Sequence, residues 1–442
     1  MGRRSDGDWL YHLRIKQLDA LPMITFEPLE LEATLRSAIR RLGSSFYIDL
    51  DGYPLPPDFE LDLDDDWLIS SDTELTLDFP RTEDGVSLLV KDLIDLSLEV
   101  TDSATSFDGL TYHSSRRTII RMNSTDLRSH AFADRVSAAH SHELKMISEV
   151  GGKPGNISIK NDSAHFGAII VARDHFYDKY NPPLTGDELF IEVEHPHGAS
   201  ITDCNALIHA YLFELHTTLG LEFFEWPRPL DDEIEYPEDE DIGELVGQAG
   251  RLRPLLVGQG LLSVLSEFNS AHGANRSDWS LLSYVKCIEY VAATVVREKQ
   301  YEDLRKRLLT RDALKPNAEF MDGLLLLFEE NRTLTKDAEA IRLSIERCCD
   351  PIPMAGHAPV FLRTLAKIGP SSTLAQRQAS LLDLSAALTA TRNQLAHAKA
   401  NYRRTGKECP PEQLSSLVVC ARIAAEQCIR WYSSRPEDLR RG

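Results

Sequence analysis

The stretch TATRNQLAHAKANYRRTGK, residues 389–407, holds the residue types that an acid–base cut of RNA requires. Arg392 is followed, after four residues, by His397. RNA carries its own nucleophile, the 2′-hydroxyl beside each phosphate, so the cut needs no metal. An imidazole with an ordinary pKa of about 6.5 can take that proton or protonate the leaving oxygen. A guanidinium can grip the phosphate and stabilise the charge that builds on it. At about 100° per helical residue, Asn393 and His397 stand about 40° apart, so Asn393 can steady the ring across one turn. Arg392 and His397 stand about 140° apart and converge poorly on one straight helix. They converge better where the helix stops near His397, or where two copies face each other. Lys399, Arg403, Arg404 and Lys407, with Tyr402 among them, form a basic segment with a ring on which a single-stranded base can stack.

The spacing alone is weak. With 34 arginines and 14 histidines in 442 residues, chance places a histidine five after an arginine about once. It recurs at Arg135 and His140, among few basic neighbours, where it reads as coincidence. Arg392 is distinguished by its context: an adjacent Asn, a late helix and a basic continuation. The plain alternative is a surface histidine and a cation that favours a helix C-terminus.

Other candidates carry less. His130, His140, His142, His195 and His197, with Glu143, Glu192 and Glu194, could suggest a metal. Neither histidine stretch has the HExxH spacing or a paired cysteine set, so solvent-facing histidines and no metal or cofactor are expected. The acidic runs at Asp62–Asp66 and Asp231–Asp241 lack the glycine and spacing of a calcium loop and read as solvated acid, or as a shield mimicking RNA. GGKPG, residues 151–155, is a tight turn and not a phosphate loop. Seven cysteines without a CxxC pair read as small core residues in a reducing compartment; the neighbours Cys348 and Cys349 could instead be redox-active.

The elements that position these residues change character along the chain. Thr73–Phe79 alternates with period two and predicts a strand, and Val86–Val100, Phe166–Arg173 and Glu188–His195 also read as strands. Ser124 to Leu144 and Asp203 to Leu219 read as helices. Beyond residue 250 nearly everything reads as helix. Predicted segments are Leu255–Phe268, a long helix opened by Ser277 and Asp278, Ala318–Glu330, Thr335–Arg347 and Val360–Ile368. Along the long helix, Leu281, Val285, Ile288, Ala292 and Val295 share a face. A leucine-striped helix follows Pro370, with Ser371 and Ser372 as available caps and Leu374, Leu381, Leu384, Leu388 and Leu395 on its stripe. A last helix starts at Pro411.

Charge divides the chain as well. Residues 1–242 hold 20 Lys+Arg and 47 Asp+Glu, residues 243–442 hold 28 and 22, so -27 and +6 make the net -21. A nucleic-acid partner therefore belongs to the second half. Pro227–Gly243, with three prolines and eight acids, predicts an extended connector. The expected plan is α+β: a β-rich acidic sensor or specificity domain over 1–226, an acidic linker over 227–243 and an all-α domain over 244–442. No leader peptide and no membrane span is expected, which points to the cytoplasm.

With RNQLAH near the end of a late helix, residues from about 250 to 432 resemble the HEPN superfamily of helical domains, over about two-fifths of the chain. The resemblance implies a metal-independent endoribonuclease acting on RNA, tRNA among the candidates, as a homodimer with a composite site, with Arg392, His397 and Asn393 at its centre. Many members act as toxins in abortive infection or antiviral defence. A β-rich front half is similar to ApeA-like HEPN proteins, and implies a phage-derived trigger or companion protein at the N-terminal domain. Lys399 stands where adenylylation-regulated toxins carry a Tyr, so that regulation is not implied. The other reading is a non-catalytic HEPN module that dimerises or binds a nucleotide or protein partner.

Overall fold

The computed structural model describes residues 24–42, 46–50, 53–54, 67–80, 82, 85–124, 126–138, 146–161, 163–173, 177, 182–184, 188–195, 198–225, 243, 247, 252–271, 276–334, 336–396 and 405–440. They form an α+β structure, sheet-rich towards the N-terminus and helical towards the C-terminus. Two compact units result: residues 1–107 with 163–185, and residues 108–162 with 186–442. Packing thus divides the chain elsewhere than at 227–243, a stretch that lies outside the described residues except for Gly243.

In the first unit, β1 (Ile24–Glu27) pairs in parallel with β4 (Trp67–Ser70). An antiparallel sheet has the order β3 (Tyr53–Pro54), β2 (Tyr47–Leu50), β5 (Glu74–Asp78), β6 (Gly85–Leu89). Leu75 and Leu77 alternate inward on β5, as predicted for Thr73–Phe79. Helix α1 spans Glu30–Leu42. Two predicted strands are corrected here. Only Val86–Leu89 of the Val86–Val100 stretch is strand; Val90–Thr101 is helix α2, whose Leu93, Leu96 and Val100 recur at spacings of three and four and are buried. Phe166–Arg173 lies within a helix, α4 in chain order. It is apolar nearly all round because it is buried nearly all round, and a fully buried helix has the same composition as a buried strand.

The second unit contains an antiparallel sheet in which β10 (Met146–Val150), β11 (Lys153–Lys160), β12 (Leu189–Glu194), β9 (Arg117–Asn123) and β8 (Thr111–His113) are successive neighbours. β13 (Phe224–Glu225) extends the β8 edge along β9. β7 (Ser106–Phe107) ends the preceding segment. Gly151 and Gly152 close the β10–β11 hairpin at φ 58° and 77°, a two-residue turn of the kind expected at GGKPG. Helices α3 (Leu127–Ala138) and α5 (Ile201–Glu214) cover the sheet; α4 (Ala164–Arg173) belongs to the first unit.

Helix α5 explains why the acidic connector does not separate one core from the next. Leu207, Ile208, Tyr211 and Leu212 join the core over the sheet, while Ala210 and Phe213 join the core of the helical bundle. A helix apolar on opposite faces is a middle layer. It continues into a π-helical turn, Leu215–Leu219, ended by Gly220 at φ 68°. At this turn buried Glu214 is bound by Arg430 at 2.7 Å, and Arg430 also stacks over Phe213 at 5.0 Å.

The bundle comprises α6 (Leu261–Ser270), α7 (Ser277–Leu308), α8 (Ala318–Leu334), α9 (Asp337–Cys348), the short α10 (Ile352–Ala355), α11 (Leu374–Ala396) and α12 (Leu414–Ser433). The predicted α7 face is buried at all five positions, Leu281, Val285, Ile288, Ala292 and Val295. By length and composition α7 could cross a membrane, but most of its apolar stretch is buried among the other helices. Three expectations are corrected. Helix α6 begins at Leu261 and not Leu255, because Gly258 and Gly260 turn the chain at positive φ. Val360–Ile368 holds only a 3₁₀ turn, Leu365–Lys367, behind the Pro359–Leu362 turn. Neither Ser371 nor Ser372 caps α11. Thr373 does, its hydroxyl accepting from Gln376 N–H while the Gln376 side chain accepts from Thr373 N–H. The α11 stripe is buried at Leu381, Leu384 and Leu388, whereas Leu374 is exposed.

Candidate active site

Helix α11 runs from the Thr373 capping box to Ala396, and Arg392 and Asn393 stand in its last turns. Its buried Thr391 accepts a hydrogen bond from Cys409 N–H at 2.9 Å, which fastens the chain leading into α12 back onto this helix end. Beyond it, the Glu408 carboxylate takes N–H bonds from Thr405 and Gly406. Lys407 is exposed, with Nζ 3.8 Å from Asp383. His397, Lys399, Tyr402, Arg403 and Arg404 lie outside the described residues.

The Arg392 side chain is 25 % exposed. Its Nη1 donates to Asn393 Oδ1 at 3.0 Å, and its Nη2 lies 3.0 Å from Oε1 of Glu289 on α7. The second contact is an ion pair with a partly buried carboxylate. Because Asn393 directs its carbonyl oxygen at Arg392, its amide N–H groups remain the donors with which it can hold a neighbouring imidazole.

Glu289 is the residue the sequence reading missed. Nothing local marks it; it sits on the long helix, far from Arg392 in sequence. Burial pushes its carboxyl above the usual range, Arg392 opposes that shift, and Asp337 adds to it. Glu289 and Asp337 line a pocket of about 420 Å³ between α7 and α9, with Arg297, Gln300, Ala292 and Ala340. Arg297 is engaged with the Leu439 carbonyl at 3.2 Å. Arg392 thus reaches the pocket's edge through a carboxylate, and two of its contacts hold it at a fixed azimuth on α11.

The chain matches no family model, no curated protein and no solved structure.

The expected solvent-facing histidines are corrected where they are described. His130 and His195 are buried, His130 bonded to the Ser124 carbonyl at 3.0 Å and His195 to the Thr118 hydroxyl at 3.2 Å. His140, His142 and His197 lie outside the described residues, as do the acidic runs at 62–66 and 231–241. Cys348 and Cys349 are half-buried beside buried Cys428, with Cys349 Sγ 3.9 Å from Cys428 Sγ. A hydrogen bond to Cys428, followed by burial, pushes the Cys348 thiol upwards. Burial pushes Cys420 to about 12 and Cys409 to about 11, so these thiols stay protonated and act as core residues.

Proposed function

We propose that this chain is a HEPN-type endoribonuclease that cuts RNA by attack of the RNA's own 2′-hydroxyl, without a metal in the cutting step. The observation that carries the reading is Arg392. It stands partly exposed at the end of the penultimate long bundle helix, oriented by Glu289 and Asn393, immediately before the basic segment. In this reading Arg392 clamps the phosphate and His397 is the general acid/base. Asn393 orients the imidazole, while Lys399, Tyr402, Arg403, Arg404 and Lys407 hold the strand. The protein acts in the cytoplasm as a homodimer through its helical domain, in anti-phage defence of the abortive-infection kind. tRNA is among its candidate substrates, and a phage-derived trigger or companion protein engages the N-terminal region.

One observation favours the second reading, a bundle that binds a protein partner without cutting. Arg392 is already matched by a carboxylate at a pocket edge that carries Asp337 as well. The two readings separate in one assay: wild type, Arg392→Ala and His397→Ala with RNA and EDTA. The ribonuclease reading requires cleavage that survives EDTA and is lost in both variants at unchanged circular dichroism. If the purified wild type does not cut, the same three proteins are compared for growth arrest in phage-infected cells. Arrest that ignores both substitutions rejects the reading.

A further inference from the structure

Three side chains of metal-ligand type meet in the second unit, from segments far apart in sequence. His113 ends β8, His195 directly follows β12, and Cys204 lies in the first turn of α5, behind the Ser200 cap. One ligating atom from each lies within 4.8 Å of the other two. The imidazoles are stacked, with centroids 5.5 Å apart and planes inclined by 24°. Cys204 is fully buried and His195 nearly so.

The Thr118 hydroxyl stands at the centre of the group. It is 2.8 Å from His113 Nδ1 and 3.2 Å from His195 Nε2, and it also bonds the Cys204 side chain. Those two ring nitrogens therefore face one point together with the sulfur. A hydroxyl surrounded by two imidazoles and a thiol is a small polar centre at the edge of the core that holds Ile120, Ile191, Val193 and Cys204. Strand pairing makes the placement rigid: Thr118 pairs with His113 on β8 and with Val193 on β12.

We propose that His113 Nδ1, His195 Nε2 and Cys204 Sγ form a binding site for one zinc-class divalent ion. Zinc bonds of about 2.0–2.1 Å to nitrogen and about 2.3 Å to sulfur place tetrahedral ligand atoms roughly 3.3–3.8 Å apart, so shifts of about 1 Å close the site. Two imidazoles and a thiolate select Zn²⁺ or Co²⁺ over Mg²⁺ and Ca²⁺, which take oxygen ligands. Thr118 then moves from the centre of the group to its outer shell, where a hydroxyl orients an imidazole. His195 also lines a pocket of about 370 Å³ with Arg116, Arg117, Asn156 and Glu194, and a water would complete the fourth position of the ion. Binding deprotonates the Cys204 thiol and releases that proton to solvent. The site shares no residue with the Arg392 group, and its occupancy is read whether or not RNA is cut.

The test uses the full-length chain, stripped with a chelator and loaded with Zn²⁺ or Co²⁺ before gel filtration. The expected result is about one zinc per chain. The cobalt form should show a thiolate-to-cobalt charge-transfer band, and neither should be displaced by excess Mg²⁺. Cys204→Ser should remove the band and the stoichiometric metal. Cys349→Ser should keep both, which separates this site from the Cys349–Cys428 thiols. Should Cys204→Ser fail to fold, His113→Gln at its half-buried position carries the same reading through loss of bound metal. A wild type that retains no metal overturns the proposal, and so does a cobalt band that survives Cys204→Ser or metal content unchanged in His113→Gln.

Discussion

Arg392 is held from two sides, and each contact has a measurable consequence. In the proposed reaction the guanidinium would offer its remaining N–H groups to a phosphate while Glu289 and Asn393 fix its azimuth. Arg392→Ala should lower RNA cleavage by about 100-fold or more, the scale of losing one aimed donor at a developing charge. Arg392→Lys should restore little, because an ammonium lacks the planar fork. Glu289→Ala should lower cleavage by about tenfold through misplacement of Arg392, chiefly in kcat, with the fold intact. Unchanged kcat in Glu289→Ala would separate Glu289 from the site. A second residue-scale test concerns stability. Glu214→Ala removes the buried partner of Arg430, which keeps Glu426 and Thr217, and should cost roughly 2 kcal/mol in denaturant unfolding, the scale of one hydrogen bond to a charged group. The contact of Arg392 with Asn393 was legible because the two are neighbours on one helix; that with Glu289 was not, because it exists only after α7 and α11 pack.

At the scale of elements, α5 and its π turn join sheet to bundle and make the unit acid-sensitive. Burial, with Arg422 adding repulsion, lowers His216 to about 3; burial lowers His209 to about 4. Arg422 Nη1 donates to His216 Nε2 at 2.9 Å, so Nδ1–H faces the Leu221 carbonyl and the ring is neutral. In the unfolded chain both histidines take a proton below about pH 6.5. The unfolded state then binds more protons, so stability is full above that pH and declines as pH falls towards about 4. Denaturant midpoints at pH 7 and pH 5 should differ in wild type and differ less in His216→Gln, which leaves the contribution of His209; equal midpoints in wild type would contradict this. Elements with one buried face were readable from sequence, as in Glu74–Asp78 and in α7. Helix α4 reads as a strand because it is apolar nearly all round, whereas α2 follows the strand Gly85–Leu89 without a break, and its helical spacing of Leu93, Leu96 and Val100 lies within one continuous apolar run. The metal-ligand cluster was unreadable for a related reason: β8, β12 and α5 each contribute one residue, and no spacing connects them.

For the whole molecule, charge is the property that matters most to an RNA partner. Residues 243–442 carry +6 against -27 before them, so the second half can attract phosphate while the first repels it. If the run Asp231–Asp241 shields the basic segment, its deletion should raise basal cleavage and flatten the dependence on salt. Cleavage unchanged or lowered would remove that role. A homodimer should sediment at twice the 49.7 kDa of the chain and should persist in Arg392→Ala, which alters the site and not the bundle core. The broad division into a sheet-rich front and a helical back was legible from patterning. The compact units were not, because one helix, α5, is shared by two cores on either side of the acidic stretch. The central claim is that Arg392 serves a cut made by the RNA's own hydroxyl, and the chemistry of the product ends tests it most directly. RNA treated with wild type in EDTA should end in 2′,3′-cyclic phosphate and 5′-hydroxyl, and Arg392→Ala should yield neither. Products bearing 3′-hydroxyl and 5′-phosphate, or ends of any kind that require added divalent ions, would contradict the account.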